Sequence, residues 1–75
     1  MTEALSTLER KEIRKELEQS ATVKLVTHTT HTITIYFENH IEGIRTHHYE
    51  KIVGDKLEIS HIDYEKKKLE FTLKD

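Results

Sequence analysis

The sequence predicts an α+β domain in which one N-terminal helix packs on a four- to five-stranded antiparallel β-meander. Three observations carry that expectation. Up to about residue 20 the chain is dominated by helix formers and contains no Gly or Pro. From Thr22 onward Thr, Val, Ile and Tyr take over, and apolar positions recur with a period of two. Turn signals at Asn39-His40 and Gly54-Asp55 then cut the second part into strand-length pieces.

The helix is expected over about residues 3–20. Ser6-Thr7-Leu8-Glu9 fits a capping box, in which the Ser6 hydroxyl accepts from the Glu9 amide and the Glu9 carboxylate accepts from the Ser6 amide. Thr2 is a competing cap that would add a turn. Glu12–Lys15, Arg14–Glu18 and Lys15–Glu18 stand at spacings that bring opposite charges together. Leu5, Leu8, Ile13 and Leu17 share one broad side without forming a heptad, which points to packing on a sheet and away from a coiled coil.

The meander is expected over about residues 22–74. Val23, Leu25, Ile33, Ile35 and Phe37 fall on one parity, so Thr27–Thr32 holds either an odd-length loop around Thr29–His31 or the bend of one long strand. A two-residue loop would send Val23 and Leu25 to the face opposite Ile33 and Ile35. Gly43 suggests a bulge or bend, and an odd loop within Asp63–Lys67 precedes the last strand. With these registers one sheet face collects Val23, Leu25, Ile33, Ile35, Phe37, Ile44, Ile52, Leu57, Ile59, Leu69, Phe71 and Leu73. Curling towards a small SH3-like or Sm-like barrel is a further form of this arrangement.

With 75 residues there is room for one domain and one modest core. Cysteine is absent, which excludes disulfide staples and fits a reducing compartment. A net charge of −2 with both signs interspersed is neither an acidic disordered tail nor a strongly basic nucleic-acid binder. No apolar run approaches the roughly 20 residues of a membrane span. The first residues carry neither a basic stretch nor an apolar run of the secretory kind, so a soluble cytoplasmic protein is expected. Six histidines are present, and protonating all of them would move the formal charge from −2 to +4.

No arrangement of nucleophile and base, no cysteine and no glycine-rich phosphate loop is visible, so no enzyme activity, cofactor or metal site is expected. The Gly54-Asp55 turn would set His48 opposite His61 as a pH-sensitive pair, but the neighbourhood lacks the four ligands of a structural zinc. Lys66-Lys67-Lys68 is the one basic run, flanked by Glu65 and Glu70. The second sheet face is the more informative one. Alternation places Tyr36, Ile41, Tyr49, Val53 and Ile62 there, among Arg45, His47 and Lys51, with Tyr64 at the edge. Tyrosines with isolated aliphatics and an arginine are the make-up of an interface centre.

Ile33-Thr34-Ile35-Tyr36-Phe37-Glu38-Asn39-His40-Ile41, followed by Ile59-Ser60-His61-Ile62-Asp63-Tyr64-Glu65-Lys66-Lys67-Lys68-Leu69, resembles the YolD-like family of small proteins of low-GC Gram-positive bacteria and their phages. The shared pattern is a strand ending in an aromatic pair, a polar turn, then I-x-x-I-D, a short loop and a last strand. It covers about half of the chain; the family's N-terminal region is missing and the two pieces stand further apart. The resemblance implies a small barrel-like domain that acts through protein partners, and it transfers no catalytic residue.

The leading expectation is thus a non-enzymatic interaction module, a regulator or inhibitor of phage or mobile-element type, that binds a host protein through the exposed sheet face or an edge strand. Its contact residues would be Tyr36, Ile41, Arg45, His47, Tyr49, Ile62 and Tyr64. The alternatives are a nucleic-acid-binding barrel using Lys66–Lys68, Arg45 and the tyrosines, and a homodimer formed by the second face.

Overall fold

The computed structural model describes residues 4–39 and 46–74. Helix α1 (Thr7–Glu18) is followed by strands β1 (Val23–His28) and β2 (Thr32–Phe37), helix α2 (Thr46–Val53), and strands β3 (Leu57–Asp63) and β4 (Lys68–Leu73). The four strands form one antiparallel sheet in the order β1-β2-β4-β3. The class is α+β as expected, with three corrections, one of them the second helix α2. The sheet is two hairpins joined through β2 and β4, so it is not a simple meander, and it does not close into a barrel because β1 and β3 lie at opposite edges.

Helix α1 starts where its capping box requires. The Ser6 hydroxyl accepts from the Glu9 amide at 3.1 Å, and the Ser6 amide donates to the Glu9 carboxylate at 3.1 Å. The Ser6 cap is the one used, so the helix begins later than the competing cap at Thr2 would allow. Arg14 and Glu18 pair at 3.3 Å, one helical turn apart. Leu17 is fully buried and Ile13 packs against the core. Leu8, expected to be buried, is 67% exposed. It stands nine residues before Leu17, and at about 100° per residue that is half a turn out of phase. Leu5 lies outside the helix but is buried, and its amide donates to the Thr30 carbonyl at 2.8 Å.

Residues 46–53, expected to form a strand, are helical. Tyr49, Ile52 and Val53 recur at the three- and four-residue spacing of a helix face, and Tyr49 and Val53 are buried. Gly54 ends the helix at φ 91° with its amide donating to the Glu50 carbonyl at 3.1 Å. A glycine in this left-handed region is a helix terminator as readily as a hairpin residue, because both need a positive φ.

Residues 22–38 are a hairpin, with His28 opposite Ile33 and only Thr30-His31 at the tip beyond the Thr29–Thr32 hydrogen bond. The Thr29 hydroxyl accepts from the amides of His31 at 3.3 Å and Thr32 at 3.1 Å, which holds the tip without a positive φ. The even loop has the consequence that strict alternation implies. Val26 is the buried residue of β1, and Leu25 faces away, 46% exposed. Val23 nonetheless returns to the core side, because a bulge between Val23 and Leu25 absorbs Lys24. The second hairpin repeats the device. Asp63 pairs with Lys68 across an even loop, Tyr64–Lys67, and a bulge at Ser60 restores Ile59 and Ile62 to one face.

Both helices therefore lie on one side of the sheet, over Val26, Ile33, Ile35, Phe37, Leu57, Leu69, Phe71 and Leu73. Helix α1 packs mainly on β1, and α2 touches both α1 and β3. Ile44, assigned to the core from the sequence, lies outside the described residues, as do His40 and Gly43 of the expected turn and bend.

Candidate interaction surface

The second sheet face is built from the residues that alternate with the core. Strand pairing arranges them in three rows. Leu25, Tyr36, Lys68 and Asp63 form the first; Thr27, Thr34, Glu70 and His61 the second; Thr32, Thr72 and Glu58 the third. Cross-strand neighbours on one face stand about 5 Å apart, so each row is a continuous strip. No described element covers this face.

The first row is an aliphatic–aromatic corner beside an opposite-charge pair. Leu25 is 46% exposed and Tyr36 partly so, and Tyr64, in the turn just after Asp63, is 53% exposed. Asp63 shapes that turn by accepting from the Lys66 amide at 2.9 Å. This hydrogen bond, helped by the charges of Lys66, His61 and Lys68, holds its carboxyl below the usual aspartate range. The other two rows are rich in hydroxyls. The Thr72 hydroxyl donates to Ser60 Oγ at 2.8 Å, and the Ser60 hydroxyl lies 3.3 Å from both the carbonyl and Oε1 of Glu70. Thr34, at the centre, is only 7% exposed. Such a surface offers a small apolar patch with directional polar groups around it.

The residues expected on this face divide. Tyr36 is there, with Tyr64 at its edge. Ile41 and Arg45 lie outside the described residues. Ile62 is on the opposite, helix-covered face, because the Ser60 bulge reverses the parity of the end of β3. Tyr49 and Val53 are core residues of α2. The Tyr49 ring meets Phe37 edge-on at 5.3 Å, and its hydroxyl lies 3.0 Å from Thr22 Oγ1 and 3.5 Å from Ser20 Oγ. His47 and Lys51 are exposed on α2, away from the sheet face. The structure brings Leu25 to the face through the even Thr30-His31 loop, which sequence reasoning set aside because nothing marked the Lys24 bulge that lets Val23 return to the core.

His48 and His61 do not meet. His48 is on α2, with its ring 5.3 Å from that of Tyr49, whereas His61 is on the open face of β3. The histidine with a distinctive setting is His28, on the helix-covered side of β1. Arg10 Nη1 lies 3.4 Å from its Nδ1, and since a guanidinium only donates, that nitrogen is the acceptor of a neutral imidazole. Partial burial, with Arg10 and Arg14 nearby, pushes its pKa down. Among the described residues no three His, Asp or Glu side chains gather as a metal site would require, and no helix is long and apolar enough to cross a membrane.

The lysine run is built into the second hairpin. Lys67 adopts φ 57° at the end of the turn, its carbonyl accepts from the Phe37 amide at 2.9 Å, and its ammonium lies 3.4 Å from the Glu38 carbonyl. Lys68 belongs to the first row of the open face.

No family model matches the chain, and no curated protein and no solved structure is similar enough to count as a match.

Proposed function

We propose that the protein is a non-enzymatic interaction module that docks a partner protein on the open sheet face, at the corner formed by Leu25 and Tyr36. The observation that carries this reading is the placement of both helices on one side of the sheet, which leaves Leu25 46% exposed beside Tyr36. An exposed leucine next to a tyrosine, continued across the sheet by Lys68 and Asp63, has the composition of an anchor with a polar rim. The complementary partner patch carries an apolar side chain for the corner and a carboxylate for Lys68. The resemblance to YolD-like proteins points the same way, towards action through partners. A regulator or inhibitor of a host protein is the form of module we favour.

The test is a paired pull-down with quantitative mass spectrometry, using the wild type, Leu25→Ser/Tyr36→Ser and the control Leu8→Ser. A partner captured by the wild type and control, and lost from the double variant with unchanged circular dichroism, supports the reading. Equal capture by all three overturns it. Light scattering over a concentration series identifies the case in which the partner is a second copy.

A further inference from the structure

On helix α1 the carboxylates of Glu9, Glu12 and Glu16 share one side, while Lys11, Arg14 and Lys15 share the other with Glu18, which pairs with Arg14 at 3.3 Å. Glu9, Glu12 and Glu16 line a hollow of about 240 Å3 shared with Ile52 and Val53 of α2, whereas Lys11, Arg14 and Lys15 line a different hollow on the far side of α1. The floor of the acidic hollow includes Ile13 and Ile52, which pack against the core while remaining partly open to solvent. The hollow continues into a second one of about 360 Å3, lined by Glu16, Gln19, Ser20, His48 and Ile52. Glu16 and Ile52 belong to both, so the two form one groove between the helices. From Glu9 to Gln19 it runs about 15 Å, the length of roughly ten helical residues.

We propose that this α1–α2 groove is a second docking site, for a basic amphipathic helix of a partner protein. Charge complementarity identifies the occupant. Glu9 is engaged by the Ser6 amide and by Lys56 at 3.0 Å, but Glu12 and Glu16 have no ion-pair partner among the described residues. All three carboxylates stand at i, i+3 and i+7 on α1, a straight stripe along one wall. A helix laid in the groove matches it with Leu or Ile at i, i+3 and i+7 on the Ile13–Ile52 floor and Lys or Arg beside them facing the stripe. An acidic or uncharged helix would bury part of the same floor while leaving the carboxylates opposed or unpaired, so the sign of the flanking charge sets the specificity.

The experiment uses the full chain and two labelled peptides of about 14 residues, long enough to span the groove with a turn to spare. Both carry the same leucine face; one has lysines beside it and the other glutamates. Fluorescence anisotropy at physiological salt should show saturable binding of the lysine peptide, weakened roughly tenfold or more in Glu12→Lys/Glu16→Lys, which instead gains the glutamate peptide. Both substituted positions are exposed, so the fold persists, as circular dichroism will show. Amide shift mapping should place the contact at Ile13, Glu16, His48 and Ile52, leaving Leu25 and Tyr36 unmoved. Equal binding of both peptides, no binding, or shifts confined to the open sheet face would overturn the proposal. Because the Leu25→Ser/Tyr36→Ser variant keeps the groove, it should bind the lysine peptide as the wild type does, which separates this site from the sheet-face reading.

Discussion

Tyr49 offers the sharpest test of the architecture, since a strand at 46–53 would expose it and helix α2 buries it. In the folded chain it is 4% exposed, its ring meets Phe37 edge-on at 5.3 Å, and its hydroxyl lies 3.0 Å from Thr22 Oγ1. Truncating a buried aromatic to alanine costs about 3–5 kcal/mol. A 75-residue domain has roughly 4–11 kcal/mol in hand at ~0.05–0.15 kcal/mol per residue, so Tyr49→Ala should remove a large share of the stability or abolish folding. Tyr49→Phe keeps the ring and loses only the hydroxyl contacts, a cost of about 1 kcal/mol. For a domain of this size that corresponds to a Tm lowered by about 4–8 °C. Tyr36→Ala, on the open face, should move Tm much less. Thermal denaturation followed by circular dichroism compares all three. A Tyr49→Ala protein as stable as the wild type, with Tyr36→Ala collapsed, would refute the helical placement and restore the strand.

Ser6→Ala removes one half of the capping box and should lower stability by about 1 kcal/mol, measured by urea unfolding, with Ser6→Asp recovering most of it. Gly54→Ala places a Cβ at φ 91° where open space surrounds it, so the loss of roughly 1 kcal/mol should come from backbone strain alone, and Gly54→Asn should lose less. His28 has a folded pKa below its ordinary 6.5, so the unfolded chain binds the proton more readily. Its contribution is intact above about pH 6.5 and is lost as pH falls from there through the folded pKa; urea midpoints between pH 7.5 and 5 should decline, and His28→Asn should flatten that decline. Glu9 and Asp63 have pKa values held below 4.5 and 3.8, so a separate loss of stability should set in below those values.

The N-terminal helix and its cap were legible because both signals are local: Ser6 and Glu9 stand three residues apart and satisfy each other. The apolar sets of β2 and β4 were legible because these central strands keep strict alternation. Helix α2 was not. Residues 46–53 satisfy a period of two through His47, Tyr49, Lys51 and Val53 as well as a helical one through Tyr49, Ile52 and Val53, and packing against Phe37 decides between them. The bulges left no mark either, since they fall at Lys24 and Ser60 and not at a glycine. The even loops then placed Leu25 on the open face and Ile62 off it, and the bulges kept Val23 and Ile59 with the core. Of the open face, the place of Tyr36 was thus readable, whereas that of Leu25 emerged only from the register.

The two bulges have a consequence for how partners can attach. Each sits in an edge strand, one in β1 and one in β3, and each interrupts a ladder that would otherwise present a flat row of unpaired amides and carbonyls. Strand addition needs such a row, so the edges are poor docking sites and the open face is the better one. Deleting Lys24 or Ser60 tests this by removing the extra residue, and at Ser60 also its hydroxyl's bonds to Thr72 and Glu70. Val23 still pairs with Phe37 and Leu25 with Tyr36; Ile59 still pairs with Phe71 and Ile62 with Leu69. Each deletion should therefore keep the core and flatten its edge. Sedimentation velocity over a concentration series should show more self-association in the deletion variants than in the wild type, with the double deletion the most prone. Folded deletion variants that sediment as the wild type does would show that the bulges serve register alone, and strand addition would regain its place beside the open face.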